Sequence, residues 1–135
     1  MCRKLSSIDF SLFIGQTVVE VNTDKNIAFG MTFESSYLTI ECPWRIRASN
    51  EVLLGYSDII HSKGKFTHKH AEKILLGKRI INMVHFEEVA DLIVEFEDNI
   101  YVELYHDSTY FEGWQLGADN GFLLVSLPGG ASEEF

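Results

Sequence analysis

Five histidines, and a run of carboxylates interleaved with tyrosines, are the side chains in this 135-residue sequence whose types and spacing could do chemistry. His68 and His70 stand in Thr67-His68-Lys69-His70, with His61 upstream. On an extended segment, alternate spacing would bring two imidazoles to one metal ion. A helix splits them, because residues two apart on a helix point about 200° from one another. No Cys or carboxylate stands at a matching ligand spacing. His106 is followed by Asp107, Ser108 and Thr109, a composition that invites a hydrolase triad. Neighbours on a strand point to opposite faces and cannot form one. The sequence has no Gly-x-Ser-x-Gly elbow, phosphate-cradling glycine loop or dinucleotide fingerprint. The expectation is a protein without catalysis, cofactor or metal.

The sharper signal is a surface. In Asp91-Leu92-Ile93-Val94-Glu95-Phe96-Glu97 and Ile100-Tyr101-Val102-Glu103-Leu104-Tyr105-His106-Asp107 the apolar residues alternate. A strand period of two turns Leu92, Val94, Phe96, Ile100, Val102 and Leu104 inward. The opposite face then collects Glu95, Glu97, Tyr101, Glu103, Tyr105 and Asp107, and Glu87 and Glu88 add charge in the preceding loop. A solvated strand face would also alternate. Tyrosine, however, supplies amphipathic contact area, and carboxylates steer and pair with Lys or Arg, so these six residues are the expected partner-binding face.

The elements that must position this face come from an internal repeat. Ile14-Gly15-Gln16-Thr17-Val18-Val19-Glu20-Val21 reads like Leu76-Gly77-Lys78-Arg79-Ile80-Ile81-Asn82-Met83. Alternating segments follow at 27–34 and 91–97, both closing on Phe-Glu, and then at 37–42 and 100–106 after short polar turns. Residues 12–44 and 75–107 therefore each read as a three-stranded antiparallel meander. A linker at 45–74 is expected to hold a short strand and one helix, capped by Thr67, with Ala71, Ile74 and Leu75 on one face and Gly77 as its left-handed stop. Asn120-Gly121 marks a C-terminal hairpin within 112–130, and the tail 128–134 ends the fold. The fold class expected is mainly β (α+β) in a single domain spanning 1–135: a curved sheet or a partly open barrel, with one helix and a C-terminal hairpin.

Composition agrees with a chain that folds alone. Hydrophobic residues make up 46% and aromatics 13%, with two prolines. The first residues are too polar for a signal-peptide core, and no stretch approaches the roughly 20 apolar residues of a membrane span. Cys2 and Cys42 fit neither a disulfide framework nor a metal site, so a reduced, cytoplasmic setting is expected. The net charge of −9, from 20 acidic and 11 basic residues, repels phosphate backbones and would attract a basic protein. The partner classes expected are a basic protein domain, with no nucleic acid and no membrane; the sheet edges leave room for a homodimer.

Tyr110-Phe111-Glu112-Gly113-Trp114-Gln115-Leu116, Asn120-Gly121 and Leu127-Pro128-Gly129-Gly130, with the paired openings Ile14-Gly15 and Leu76-Gly77, resemble a family of small uncharacterised bacterial proteins. Its members carry a Glu-x-Trp segment before a last hairpin ending in Pro-Gly-Gly. The resemblance covers most of the chain; 47–70 departs most from it. It implies an immunity-type protein that binds and neutralises a cognate toxin, a nuclease being a natural target because its substrate site must be basic. In these motifs Trp114 is expected to anchor the core and the glycines to serve turns. A second reading is a small-ligand or regulatory module with Trp114, Tyr101 and Tyr105 lining a pocket; a third is a metal enzyme built on His61, His68 and His70.

Overall fold

The two apolar-Gly openings lie side by side and set the architecture. The structure, a computed structural model, describes residues 3–135, so the reading of Cys2 lies outside the described residues. The first meander forms as β1 (Val18–Val21), β2 (Phe29–Phe33) and β3 (Ser36–Ile40). Strands β4 (Trp44–Arg47) and β5 (Val52–Gly55) follow, then helices α1 (Tyr56–His61) and α2 (His68–Leu75). The second meander is β6 (Ile80–His85), β7 (Leu92–Phe96) and β8 (Ile100–Leu104). The chain closes with β9 (Trp114–Ala118), β10 (Leu123–Ser126) and β11 (Ser132–Glu134).

Among the described residues, eleven strands make two open antiparallel sheets, ordered β1-β2-β3-β9-β10-β11 and β5-β4-β8-β7-β6. The sheets stay open and do not close into a barrel. Each meander leaves the outer edge of its third strand without backbone partners, and buried amides and carbonyls demand them. The edge of β3 is filled by β9, from the far copy, and the edge of β8 by β4. After each meander the chain thus crosses to the other sheet and adds a hairpin there, β4-β5 or β9-β10.

The registers repeat as well. Val18 opposes Phe33 and Ile80 opposes Phe96, each followed by a bulge that turns Val19 or Ile81 out to solvent. Trp44 opposes Leu104 and Trp114 opposes Ile40, so a tryptophan opens each exchanged hairpin. The two openings meet at the Thr17–Arg79 bridge, where Gly15 N–H donates to Ile80 O and Gly77 N–H to Val18 O, both at 2.8 Å. Gly15 and Gly77 hold φ of 94° and 83°, a region that strongly favours glycine.

Three expectations change. The linker carries two helices, not one. Its short strand is a hairpin, the counterpart of the C-terminal one, so the repeat extends over five strands per copy rather than three. The tail does not merely end the fold: it turns at Gly129 and Gly130 and pairs Ser132–Glu134 with β10. In α2, Thr67 Oγ1 accepts from Lys69 N–H at 3.3 Å and His70 Nδ1 accepts from Thr67 N–H at 3.1 Å, which caps the helix; Ala71 and Leu75 are buried where α2 meets β1. α1 is started by Asp58, whose carboxylate accepts from Gly55 N–H at 2.8 Å. No helix among the described residues is long and apolar enough to cross a membrane.

One buried cluster joins the inner faces of both sheets, with Phe33, Leu38 and Leu116 from one side and Ile46, Leu54, Val94, Phe96 and Val102 from the other, and Phe13 of the segment before β1 is part of it. Each such side chain contributes about 1.5–3 kcal/mol. At its margin the N-terminal segment lies along β6: Leu5 bridges Phe86, Ser6 N–H donates to His85 O at 2.8 Å, and Arg3 pairs with Asp91 at 2.9 Å and sits over the Phe86 ring. Beneath it His85 is 2% exposed, edge-on to Phe10 and Trp114, with no hydrogen bond to either ring nitrogen. Burial holds its pKa below the usual imidazole range. Folded His85 therefore stays neutral while the unfolded chain takes up a proton below about pH 6.5, so the stability this group confers is present above that pH and lost as pH falls toward its folded value. Urea denaturation between neutral pH and pH 5 should show the wild type losing up to about 1.4 kcal/mol per pH unit more than His85→Leu; parallel profiles would refute the assignment.

Candidate functional site

The predicted partner face lies on the outside of the β5-β4-β8-β7-β6 sheet, and β4 changes its character. Register sets Arg45 beside Glu103 and Arg47 beside Tyr101. Glu103 Oε1 accepts from Arg45 Nε at 2.5 Å and from Arg47 Nε at 2.8 Å, and the residue is only 5% exposed. Burial pushes its carboxyl pKa up, but the two guanidinium hydrogen bonds and charges outweigh this and hold it below the usual carboxylate range. Arg47 also stacks 4.2 Å over Tyr101, and Arg45 lies 5.5 Å from the Tyr105 ring centre. Glu95 accepts a long, 3.4 Å hydrogen bond from Tyr101, and Glu97 pairs with Arg79 at 3.3 Å.

Of the six predicted residues, Tyr101, Glu103 and Tyr105 are thus drawn together by two arginines into a neutralised cluster, with Glu95 at its side. Glu97 is engaged elsewhere, and only Asp107 is freely exposed. The second reading's pocket does not form. Trp114 is 1% exposed, with its indole N–H donating to Ala90 O at 2.7 Å, and Tyr101 and Tyr105 lie on the opposite side of a sheet. The histidines are separate too: His68 stacks on Phe29, His70 caps α2, and His61 is exposed at the end of α1.

The signal passed over is the crossing loop between β8 and β9. The first copy crosses with residues 41–43, whereas the second uses 105–113. The two crossings run side by side, Tyr105 N–H donating to Pro43 O at 2.9 Å and Glu41 N–H to Gly113 O at 2.8 Å. In the longer loop Tyr110 is 78% and Phe111 67% exposed, their rings edge-to-face at 4.9 Å. With Glu41, Glu112 and Pro128 they line a hollow of about 410 Å³, and Asp107 stands on the same loop. These aromatics belong to the motif read from the sequence as structural; Trp114 is buried in the core, whereas Tyr110 and Phe111 face solvent.

His106 holds this loop in shape. Its Nε2 lies 2.7 Å from Ser108 O, a carbonyl that can only accept. Nε2 therefore carries a proton and donates it to that carbonyl, and in the neutral ring Nδ1 accepts from Ser126 Oγ–H. Ser108 Oγ in turn accepts from Tyr110 N–H at 3.0 Å and Phe111 N–H at 2.8 Å. Ser126 is fully buried and Ser108 is spent on the turn, so His106 and its serines form a scaffold rather than a nucleophile with its base. Gly113 closes the arrangement, since a Cβ there would stand 2.6 Å from both His106 Nδ1 and Ser126 Oγ. Gly113→Ala should cost about 1–3 kcal/mol in chemical denaturation and move the amide signals of 106–112; an unchanged midpoint would contradict this packing.

Cys42, beside the first crossing, is 5% exposed, and burial pushes its thiol pKa up to about 12. It is a thiol and not a thiolate at neutral pH, which makes it a poor nucleophile.

No match was found among curated proteins or among solved structures. Residues 11–133 match the model of a family of unknown function, DUF6188, and the chain belongs to that family.

Proposed function

We propose that this chain is a non-catalytic, immunity-type protein of the bacterial cytoplasm that neutralises a cognate toxin by covering a basic surface on it. The observation that carries the reading is the pair Tyr110 and Phe111, 78% and 67% exposed on a loop with Asp107 and Glu112 and facing Glu41. Adjacent exposed aromatics are the residues a partner buries as hot spots, and the surrounding carboxylates repel phosphate and attract lysine and arginine. From Ile80 to the C-terminus the sequence has no lysine or arginine, so nothing on this half of the chain opposes that attraction. The predicted face contributes Asp107 and, at its margin, Tyr105, whose ring lies beside Arg45. A nuclease domain fits the charge, because its substrate groove must be basic.

The neighbouring gene's product provides the test. Expressed alone it should be toxic, and co-expression of the wild-type chain should restore growth. Tyr110→Ser with Phe111→Ser should abolish protection and weaken binding by 100-fold or more, about 2.7 kcal/mol, while thermal stability stays within about 0.5 kcal/mol because both rings are solvent-facing. Association should slow steeply with added salt. Full protection by the double variant would place the interface elsewhere, and a harmless neighbour would remove the immunity reading.

A further inference from the structure

The hollow of about 410 Å³ beside Tyr110 and Phe111 is built from three separate segments. Glu41 comes from the first crossing, Tyr110, Phe111 and Glu112 from the second, and Pro128 from the turn after β10, and all five are exposed. Backbone hydrogen bonds tie the segments together: Glu41 N–H donates to Gly113 O at 2.8 Å, Gly113 N–H to Ser126 O at 3.1 Å and Gly129 N–H to Ser108 O at 2.9 Å. Ser108 Oγ holds the amides of Tyr110 and Phe111 from within. The walls are in place before anything enters, which spares an incoming group the cost of ordering them.

The chemistry of the hollow selects for a cation that is also planar. The two rings meet edge-to-face, at 89°, which covers at most one face of one ring and leaves the others to solvent, in keeping with exposures of 78% and 67%. In the groove beneath α1, by contrast, Phe29 and Trp44 are each 4% exposed and offer no such face. Neither Glu41 nor Glu112 forms an ion pair among the described residues, and no lysine or arginine lines the hollow. Two unpaired carboxylates attract a cation, but among the described residues no three His, Cys, Asp or Glu side chains gather as a metal ion would need. An ammonium is a strongly hydrated point charge. A guanidinium is flat and weakly hydrated, stacks on aromatic faces and forks onto carboxylates. We propose that this hollow is a socket for one arginine side chain of a protein partner, its guanidinium laid on the open aromatic faces of the loop and donating to Glu41 and Glu112. That the partner is a toxin rests on the reading above; the socket itself is a property of this chain, and it exists because the two crossings run side by side.

A capped tripeptide, acetyl-Gly-Arg-Gly-amide, titrated into the ¹⁵N-labelled full chain tests the socket without any toxin. It should shift the amide signals of Glu41 and of Tyr110 to Glu112 saturably, with a midpoint on the order of tens of millimolar or below, and the lysine counterpart at the same ionic strength should bind about threefold more weakly. Glu41→Gln with Glu112→Gln should weaken the arginine peptide about tenfold and leave the melting temperature in place, both side chains being exposed. Signals that never move overturn the socket. Equal binding of the two peptides overturns the preference for arginine, and equal binding by wild type and double variant removes the carboxylates from it. Against the neighbouring gene's product, changing the toxin's surface arginines to lysine one at a time should single out one whose loss in affinity, about tenfold or more, disappears when the chain carries Glu41→Gln with Glu112→Gln. A toxin that is neutralised with no such coupled arginine overturns the proposal and leaves the toxin-binding reading standing. A harmless neighbour removes that reading, and the peptide titration alone then decides the socket.

Discussion

The fold depends on the unpaired edge that a three-stranded meander leaves behind. A meander pairs its first and second strands with each other and its third on one side only; the third strand here is buried, so its free edge must find backbone partners or lose the stability they bring. Both copies solve this with the other copy's chain. Neither three-stranded unit is complete alone, and the single core forms only when β4 has joined β8 and β9 has joined β3. The Thr17–Arg79 bridge fixes the two openings against each other, and the crossings at 41–43 and 105–113 fix the opposite end. The exchange makes the contacts strongly non-local, which favours slow folding for the chain's size.

Much of this was legible because strands report their own burial. The period of two placed Leu92, Val94, Phe96, Val102 and Leu104 inside, and all are buried. The repeated apolar-Gly openings marked both left-handed turns, and Thr67 marked the cap of α2. What periodicity does not carry is pairing between distant strands. Nothing local to Tyr101-Val102-Glu103-Leu104 indicates that Arg45 and Arg47 will lie beside it, although the alternation Trp44-Arg45-Ile46-Arg47 was visible as a strand with cations on one face. Without the register, Glu103 read as a free carboxylate; with it, Glu103 is the centre of an ion-pair cluster. The hairpin exchange hid for the same reason, because the equivalence of Trp44 and Trp114 is spatial and the residues between each meander and its tryptophan differ in number.

Two exposed aromatics were missed by the opposite error. Tyr110 and Phe111 sit in a motif together with Trp114, and an apolar cluster in sequence reads as core. The distinction lies in the backbone: Ser108 folds the segment into a turn over His106, which directs the two rings to solvent, whereas Trp114 enters β9 and points inward. An aromatic residue in a loop between two strands has no alternation to pull it inside, and that was the signal available.

The duplicated frame also shows where function can be sought. Wherever the copies agree, in bulges, turns and tryptophan positions, geometry alone accounts for the residues. They disagree in two insertions: the long crossing at 105–113, and the helical connection at 56–79. These carry opposite charge. The crossing has carboxylates and no cation, while Lys63, Lys65, Lys69, Lys73, Lys78 and Arg79, six of the 11 cations, fall in the connection. Acidity spread merely for solubility would have no reason to sort itself between two insertions on a symmetric frame. Glu41 lies where the two regions meet, lining both the hollow under Phe111 and the groove beneath α1. A substitution at Glu41 would therefore alter the potential of both surfaces at once, while changes at Lys69 or Glu112 act on one.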